Sequence, residues 1–92
     1  MIMSFHGKDT QALFEGRCPP RFRAVAAVPE RKLQMLDDAQ GIQDLRVPPG
    51  NRLEALRGSR KGQWSIRIND RWRLCFCFED GNAFDVEIVD YH

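Results

Sequence analysis

The sequence predicts a small α+β fold: a short N-terminal strand and two helices packed on a mainly antiparallel sheet formed by the C-terminal half. Three observations predict it. Residues 63–89 alternate apolar and polar side chains with period two, whereas residues 8–40 carry apolar residues at helical spacing with proline and glycine near the ends. A length of 92 residues, 42% hydrophobic and 29% charged, suits one globular domain over residues 1–92 with one modest core.

Ile2 to Phe5 reads as a short opening strand, and Lys8 to Glu15 as a helix that buries Leu13 and Phe14 and ends at Gly16. Arg17-Cys18-Pro19-Pro20 is a loop, because tandem prolines remove amide donors. A second helix is predicted over Pro29 to Gln40, with Phe22 to Val28 as a kinked lead-in, Leu33 and Leu36 turned inward and Gly41 at its end. Ile42 to Asn51, with Pro48, Pro49 and Gly50, is a turn region between helices and strands.

Leu53 to Arg57 adds a strand before Gly58. Trp64, Ile66 and Ile68 then alternate with Gln63, Ser65 and Arg67, and after Asn69-Asp70 the pattern resumes with Trp72, Leu74, Phe76 and Phe78. Asp80-Gly81 is a favoured two-residue hairpin turn, followed by Phe84, Val86 and Ile88 in a last strand. Trp64 and Trp72 are expected in the core. Each strand has one apolar face for the helices to cover, which leaves the face carrying Arg67 and Arg73 open as a candidate RNA-facing surface.

The formal net charge is only +1, but its distribution is uneven. Arg52, Arg57, Arg60, Lys61, Arg67, Arg71 and Arg73 cluster against only Glu54 and Asp70, which predicts one basic side. Three cysteines without a CxxC pair argue against a disulfide framework and a zinc site; Cys75 and Cys77 read as small core residues. No apolar run approaches the roughly 20 residues of a membrane span and no export signal is visible, so a cytoplasmic location is expected. No phosphate-binding or dinucleotide motif and no metal-ligand spacing is present, so neither cofactor nor metal is expected.

What remains is acid, base and charge. Cleaving RNA without a metal needs a base near the ribose 2′-hydroxyl, an acid near the leaving 5′-oxygen and cations around the phosphate. An imidazole changes charge near neutral pH, so His92 can serve either proton-transfer role, with Asp90 orienting it or acting as the base. Tyr91 is either a half-buried strand residue or a platform on which a base stacks. Arg73 and Arg57 can stabilise the phosphate, whereas Arg57, Arg60 and Lys61 around Gly58 and Gly62 read equally as a solvated turn.

Met1-Ile2 and Ser4-Phe5, the segment 51–58 (Asn-Arg-Leu-Glu-Ala-Leu-Arg-Gly), the run 62–67 (Gly-Gln-Trp-Ser-Ile-Arg), Trp72-Arg73 and the closing Asp90-Tyr91-His92 together resemble the HigB toxins of the RelE superfamily. The resemblance implies a RelE-like fold and the toxin of a type II toxin–antitoxin system. Such a toxin is a ribosome-dependent endoribonuclease that cuts translated messenger in the A site by 2′-hydroxyl attack. Its implied partners are the 70S ribosome with its mRNA and a HigA-type helix-turn-helix antitoxin, through which alone the pair would reach operator DNA; no membrane is involved.

The resemblance assigns catalysis to Asp90, Tyr91, His92 and Arg73; Glu54 is expected beside them, and Arg57, Arg60, Lys61 and Arg67 are expected to bind RNA phosphate. Glu54 and Arg57 stand where the family pattern has a histidine and a lysine. Arg57 keeps the charge as a planar fork, and Glu54 is either a base or a spectator. Two other readings compete: a noncatalytic RNA or ribosome binder that blocks translation by occupancy, and a detoxified partner of a transcriptional repressor.

Overall fold

The period-two half of the chain folds into antiparallel strands as its pattern requires. A computed structural model describes residues 1–90. Among them β1 (Glu54–Ala55), β2 (Trp64–Arg67), β3 (Trp72–Glu79) and β4 (Asn82–Asp90) form one sheet in that order, each antiparallel to the next. Ile66, Leu74 and Ile88 face one another across β2, β3 and β4 and are buried, so the apolar half of the alternation shares one face. Asp80 and Gly81 both take positive φ, 52° and 80°, the backbone of a turn that follows the strands' twist.

One irregularity shapes the edge of the sheet. Cys75 pairs with Glu87 but Cys77 with Phe84, so Asp85 and Val86 together oppose Phe76 in a β-bulge. Asp85 is left-handed there, with φ 53°, and its amide donates to Ser4 Oγ at 2.9 Å. The expected strand Ile2 to Phe5 is reduced by this feature to two isolated parallel bridges, Ile2 to Ala83 and Phe5 to Val86, because Asp85 interrupts the ladder between them. Thr10 Oγ accepts the Ile88 amide at 3.0 Å, so the N-terminal segment and the first helix together close the outer edge of β4.

Helix α1 (Lys8–Phe14) buries Leu13, while Phe14 stays half-buried against Phe5, with ring centroids 5.6 Å apart. Helix α2 (Ala27–Asp38) starts and stops two residues before the expected Pro29 and Gln40. Pro29 fits inside its first turn because the amide it lacks has no helical partner there. A 3₁₀ turn at Pro20–Phe22 runs into the start of the lead-in, and Phe22 packs edge-on to Trp72 at 5.3 Å. Leu33 and Leu36 of α2 are fully buried in the cluster that contains Leu74, Phe76 and Val86.

The connection from Ile42 to Asn51 is more ordered than a plain turn region. It forms 3₁₀ helices at Ile42–Arg46 and Pro49–Asn51, held by the wholly buried Asn51. The Asn51 amide donates to the carbonyls of Leu45 at 3.1 Å and Val47 at 3.4 Å, and its oxygen accepts from Lys32. Burial, then the charges of Arg31 and Arg67, lower the Lys32 pKa. The expected strand Leu53 to Arg57 shrinks to Glu54–Ala55, since Arg52 turns left-handed before it and a 3₁₀ turn, Gly58–Arg60, follows. Trp72 is core as expected, but Trp64 is only half-buried, because its partner on β1 is the small, exposed Ala55.

No helix of the described residues is long and apolar enough to cross a membrane. Asn51→Ala is expected to lower unfolding free energy by about 1–3 kcal/mol, since it strands buried carbonyls. Gln34→Ala, which loses only an exposed contact to Asp38, should change it by less than about 0.5 kcal/mol. Urea titration followed by tryptophan fluorescence checks both.

Candidate nucleic-acid interface

The polar half of the alternation places Ser65, Arg67, Arg73, Cys75 and Glu87 on the sheet face away from the helices. That face is open at its rim but closed at its centre, a correction to the sequence expectation: Ser65 and Cys75 are 0% exposed. Arg73 lies against Ser65, and Arg60, Arg73, Glu87 and Glu54 carry charge near Cys75.

Arg73 is the most firmly held of these. Its Nε donates to Ser65 Oγ at 2.9 Å and its Nη2 to the Arg52 carbonyl at 2.9 Å, with the Glu54 carboxylate 3.7 Å away. The Arg73 side chain is only 12% exposed while that of Glu54 is 54% exposed, so the arginine is a fixed cation and the glutamate a movable partner. The left-handed Arg52, φ 46°, follows directly on the buried Asn51, which ties this end of the site to the 3₁₀ platform.

A second pair lies on the other side of Cys75. Arg60, at the end of the 3₁₀ turn, donates to Gln63 Oε1 at 3.0 Å and meets Glu87 Oε1 at 3.4 Å. Burial raises the Cys75 pKa most; Arg60 and Arg73 pull it down, and Glu87 and Glu54 push it up. Both ion pairs therefore act on one buried thiol. Towards the β2–β3 turn, Arg67 is paired with Asp70, and a cleft of about 170 Å³ is lined by Arg52, Arg67, Asn69, Asp70 and Arg73.

Of the residues singled out by sequence, Arg73, Glu54, Arg60 and Arg67 come together on this face. Arg57 and Lys61 flank the 3₁₀ turn and are exposed. Asp90 pairs in register with Trp72, which puts it on the helix side of the strand end, and it accepts from Arg71 Nε at 3.0 Å. Tyr91 and His92 lie outside the described residues.

The sequence reading missed Ser65, Glu87 and His6. A serine amid strand apolar residues opposite an arginine-bearing strand is a faint signal for the first. Nothing local marks His6, whose amide donates to the Val86 carbonyl at 3.0 Å and which shares with Ser59, Arg60, Gln63, Asp85 and Glu87 a pocket of about 360 Å³. Among the described residues no three His, Cys, Asp or Glu side chains gather to hold a metal ion.

Comparison with known proteins adds a second line of argument. Residues 17–92 match the HigB-like toxin family model, described as the RelE-like toxin of the type II toxin–antitoxin system HigB. The chain is 54% identical over 55 residues to Toxin HigB-1 of Vibrio cholerae serotype O1, covering 60% of this chain and 58% of that protein. It is 31% identical to Endoribonuclease HigB of Proteus vulgaris, with both chains covered completely. In fold it is similar to a YafQ mutant from E. coli, with a TM-score of 0.67, 15% identity and coverage of 98% of this chain and 91% of the other. It also superposes on a chain of the heterotetrameric YoeB–YefM toxin–antitoxin complex from Staphylococcus aureus, with a TM-score of 0.63, 16% identity and coverage of 100% and 98%.

The raised pKa of Cys75 means that the folded chain keeps this proton at pH values where the unfolded chain gives it up. Its contribution to stability is therefore complete below the ordinary thiol range and is lost as pH rises through the folded value. At pH 8 a thiol reagent should label the exposed Cys18 at once, and Cys75 only at the rate of global unfolding. Mass spectrometry of labelled peptides reads the difference.

Proposed function

Because the chain belongs to the HigB-like toxin family, RelE-like toxins of type II toxin–antitoxin systems, we propose that it is a ribosome-dependent endoribonuclease cutting translated mRNA in the A site. The proposal takes residues 1–92 as one toxin domain. It is carried by one observation: Arg73 is pinned by Ser65 and the Arg52 carbonyl on a polar face, with the more exposed Glu54 beside it. A cation fixed before substrate arrives spends no reorganisation when phosphate charge builds.

In the reaction the ribose 2′-oxygen bonds to phosphorus and the bond to the 5′-oxygen breaks, leaving a 2′,3′-cyclic phosphate and a 5′-hydroxyl. The 2′-hydroxyl proton goes to a base and the leaving oxygen receives one from an acid. Arg73 stabilises the phosphate. His92, Asp90 and Glu54 supply the proton-transfer groups, and Tyr91 takes the base by stacking. Arg57, Arg60, Lys61 and Arg67 hold the flanking phosphates. The reaction as proposed uses no metal, and the ribosome holds the messenger in the reactive geometry.

The partner is an antitoxin, proposed as a HigA-type helix-turn-helix protein through which the pair reaches operator DNA, and the place of action is the cytoplasm, where translated messages are. A noncatalytic block of the ribosome is the second reading, in which Asp90 serves the strand end through its contact with Arg71.

Inducing the chain without its partner should arrest growth and yield new 5′ ends within translated messages. Arg73→Ala should lower cleavage on programmed ribosomes by about 10²–10³-fold. Ser65→Ala, which only loosens that arginine, should cost less. Message 5′-end mapping and single-turnover cleavage are the measurements. Arrest with intact messages would establish the occupancy reading, and undiminished cutting by Arg73→Ala and His92→Ala would remove these residues from the mechanism.

A further inference from the structure

The Arg60–Glu87 pair is built differently from the Arg73 site. Its side chains are 35% and 29% exposed and meet through one contact at 3.4 Å, longer than the bond from Arg60 to the uncharged Gln63 at 3.0 Å. Partly exposed pairs of this kind contribute little to folding. A guanidinium presents the same planar fork to a carboxylate and to a phosphate, so Glu87 stands where a phosphate oxygen can stand, and Gln63 keeps Arg60 in place when the carboxylate leaves.

Position adds to this. Glu87 is the cross-strand partner of Cys75, and Arg73 lies two residues along β3 from Cys75, roughly 6.6 Å at strand rise. The two arginines thus sit on one face, close enough to take successive phosphates of an extended single strand. Beyond Arg60 the exposed His6 lines the same pocket. Its ring is the one aromatic surface among the described side chains that line it.

We propose that Arg60, Glu87 and His6 form a second nucleotide subsite beside Arg73, in which Glu87 occupies Arg60 until single-stranded RNA displaces it and the adjoining base stacks on His6. The inference rests on the RNA-cleaving reading above and deepens it. Glu87 then works as an internal competitor that weakens RNA binding, and removing its charge strengthens binding, whereas removing the charge of Arg60 weakens it. A purely structural ion pair would give losses from both changes.

The test uses the full chain and a fluorescein-labelled 2′-O-methyl hexaribonucleotide, followed by anisotropy at low salt. Arg60→Gln should weaken binding about tenfold and reduce the salt slope by about one. Glu87→Gln should tighten binding about threefold or more, a gain that unfolding cannot produce. Glu79→Gln makes the same charge change at the far end of β3 and should shift affinity by less than about 1.5-fold. His6→Ala should weaken binding about threefold, and His6→Phe should retain it.

Arg60→Gln and Glu87→Gln moving in the same direction would overturn the subsite, as would Glu79→Gln tightening as much as Glu87→Gln, or His6→Ala binding like the wild type. Cleavage on programmed ribosomes is scored in parallel. If the wild type cuts the message but the opposed signs fail, the subsite alone falls. If the signs hold and nothing is cut, the subsite stands as an RNA-binding site and the nuclease reading falls.

Discussion

Leu74 and Phe76 turn one side of β3 into the helical core while Cys75, between them, is equally buried on the other side, so the middle of the sheet has no water on either face. Among the described residues no second layer of helices covers the Cys75 side. Two oppositely charged pairs, Arg60 with Glu87 and Arg73 with Glu54, lie near the thiol. Desolvating one charge there without its partner would be costly, whereas paired and hydrogen-bonded charges are tolerated. The proposed RNA-facing surface is thus also the second wall of the core.

This dual duty explains why the two arginines differ. Arg73 is tied by a buried serine and a backbone carbonyl, neither of which can leave, so its position does not depend on Glu54. Arg60 is tied by side chains only, and one of them is a carboxylate that an anion can replace. Rigidity at Arg73 is inherited from the 3₁₀ platform: Asn51 stitches the backbone at Leu45 and Val47, and the next residue is the left-handed Arg52 whose carbonyl holds the guanidinium. A site placed on such supported elements keeps its geometry better than one on a free loop.

Much of the fold was legible from local pattern. The β2–β3–β4 alternation, the Asp80-Gly81 turn and the inward faces of Leu13, Leu33 and Leu36 all follow from spacing and backbone preference, because these depend on near neighbours in the chain. The basic stretch from Arg52 to Arg73 also pointed to the face on which Arg60, Arg67 and Arg73 gather. Less visible were Ser65, Glu87 and His6, whose partners are remote: Ser65 meets Arg73 across a strand pair, and His6 reaches Val86 some 80 residues away. The bulge at Asp85 was equally hidden, since it is held by Ser4 from the opposite end of the chain.

Residue order by itself determined the α+β class, the antiparallel hairpins and a basic surface rich in RNA-compatible chemistry, because period and turn chemistry are written in consecutive residues. Only the tertiary structure decided which charges meet. Register put Glu87 opposite Cys75 and Asp90 opposite Trp72, sending two nearby carboxylates of one strand to opposite faces. It also decided that the polar face is closed at its centre, since whether a strand's second side is wet depends on long side chains arriving from β1, the 3₁₀ turn and β4, and not on the strand itself.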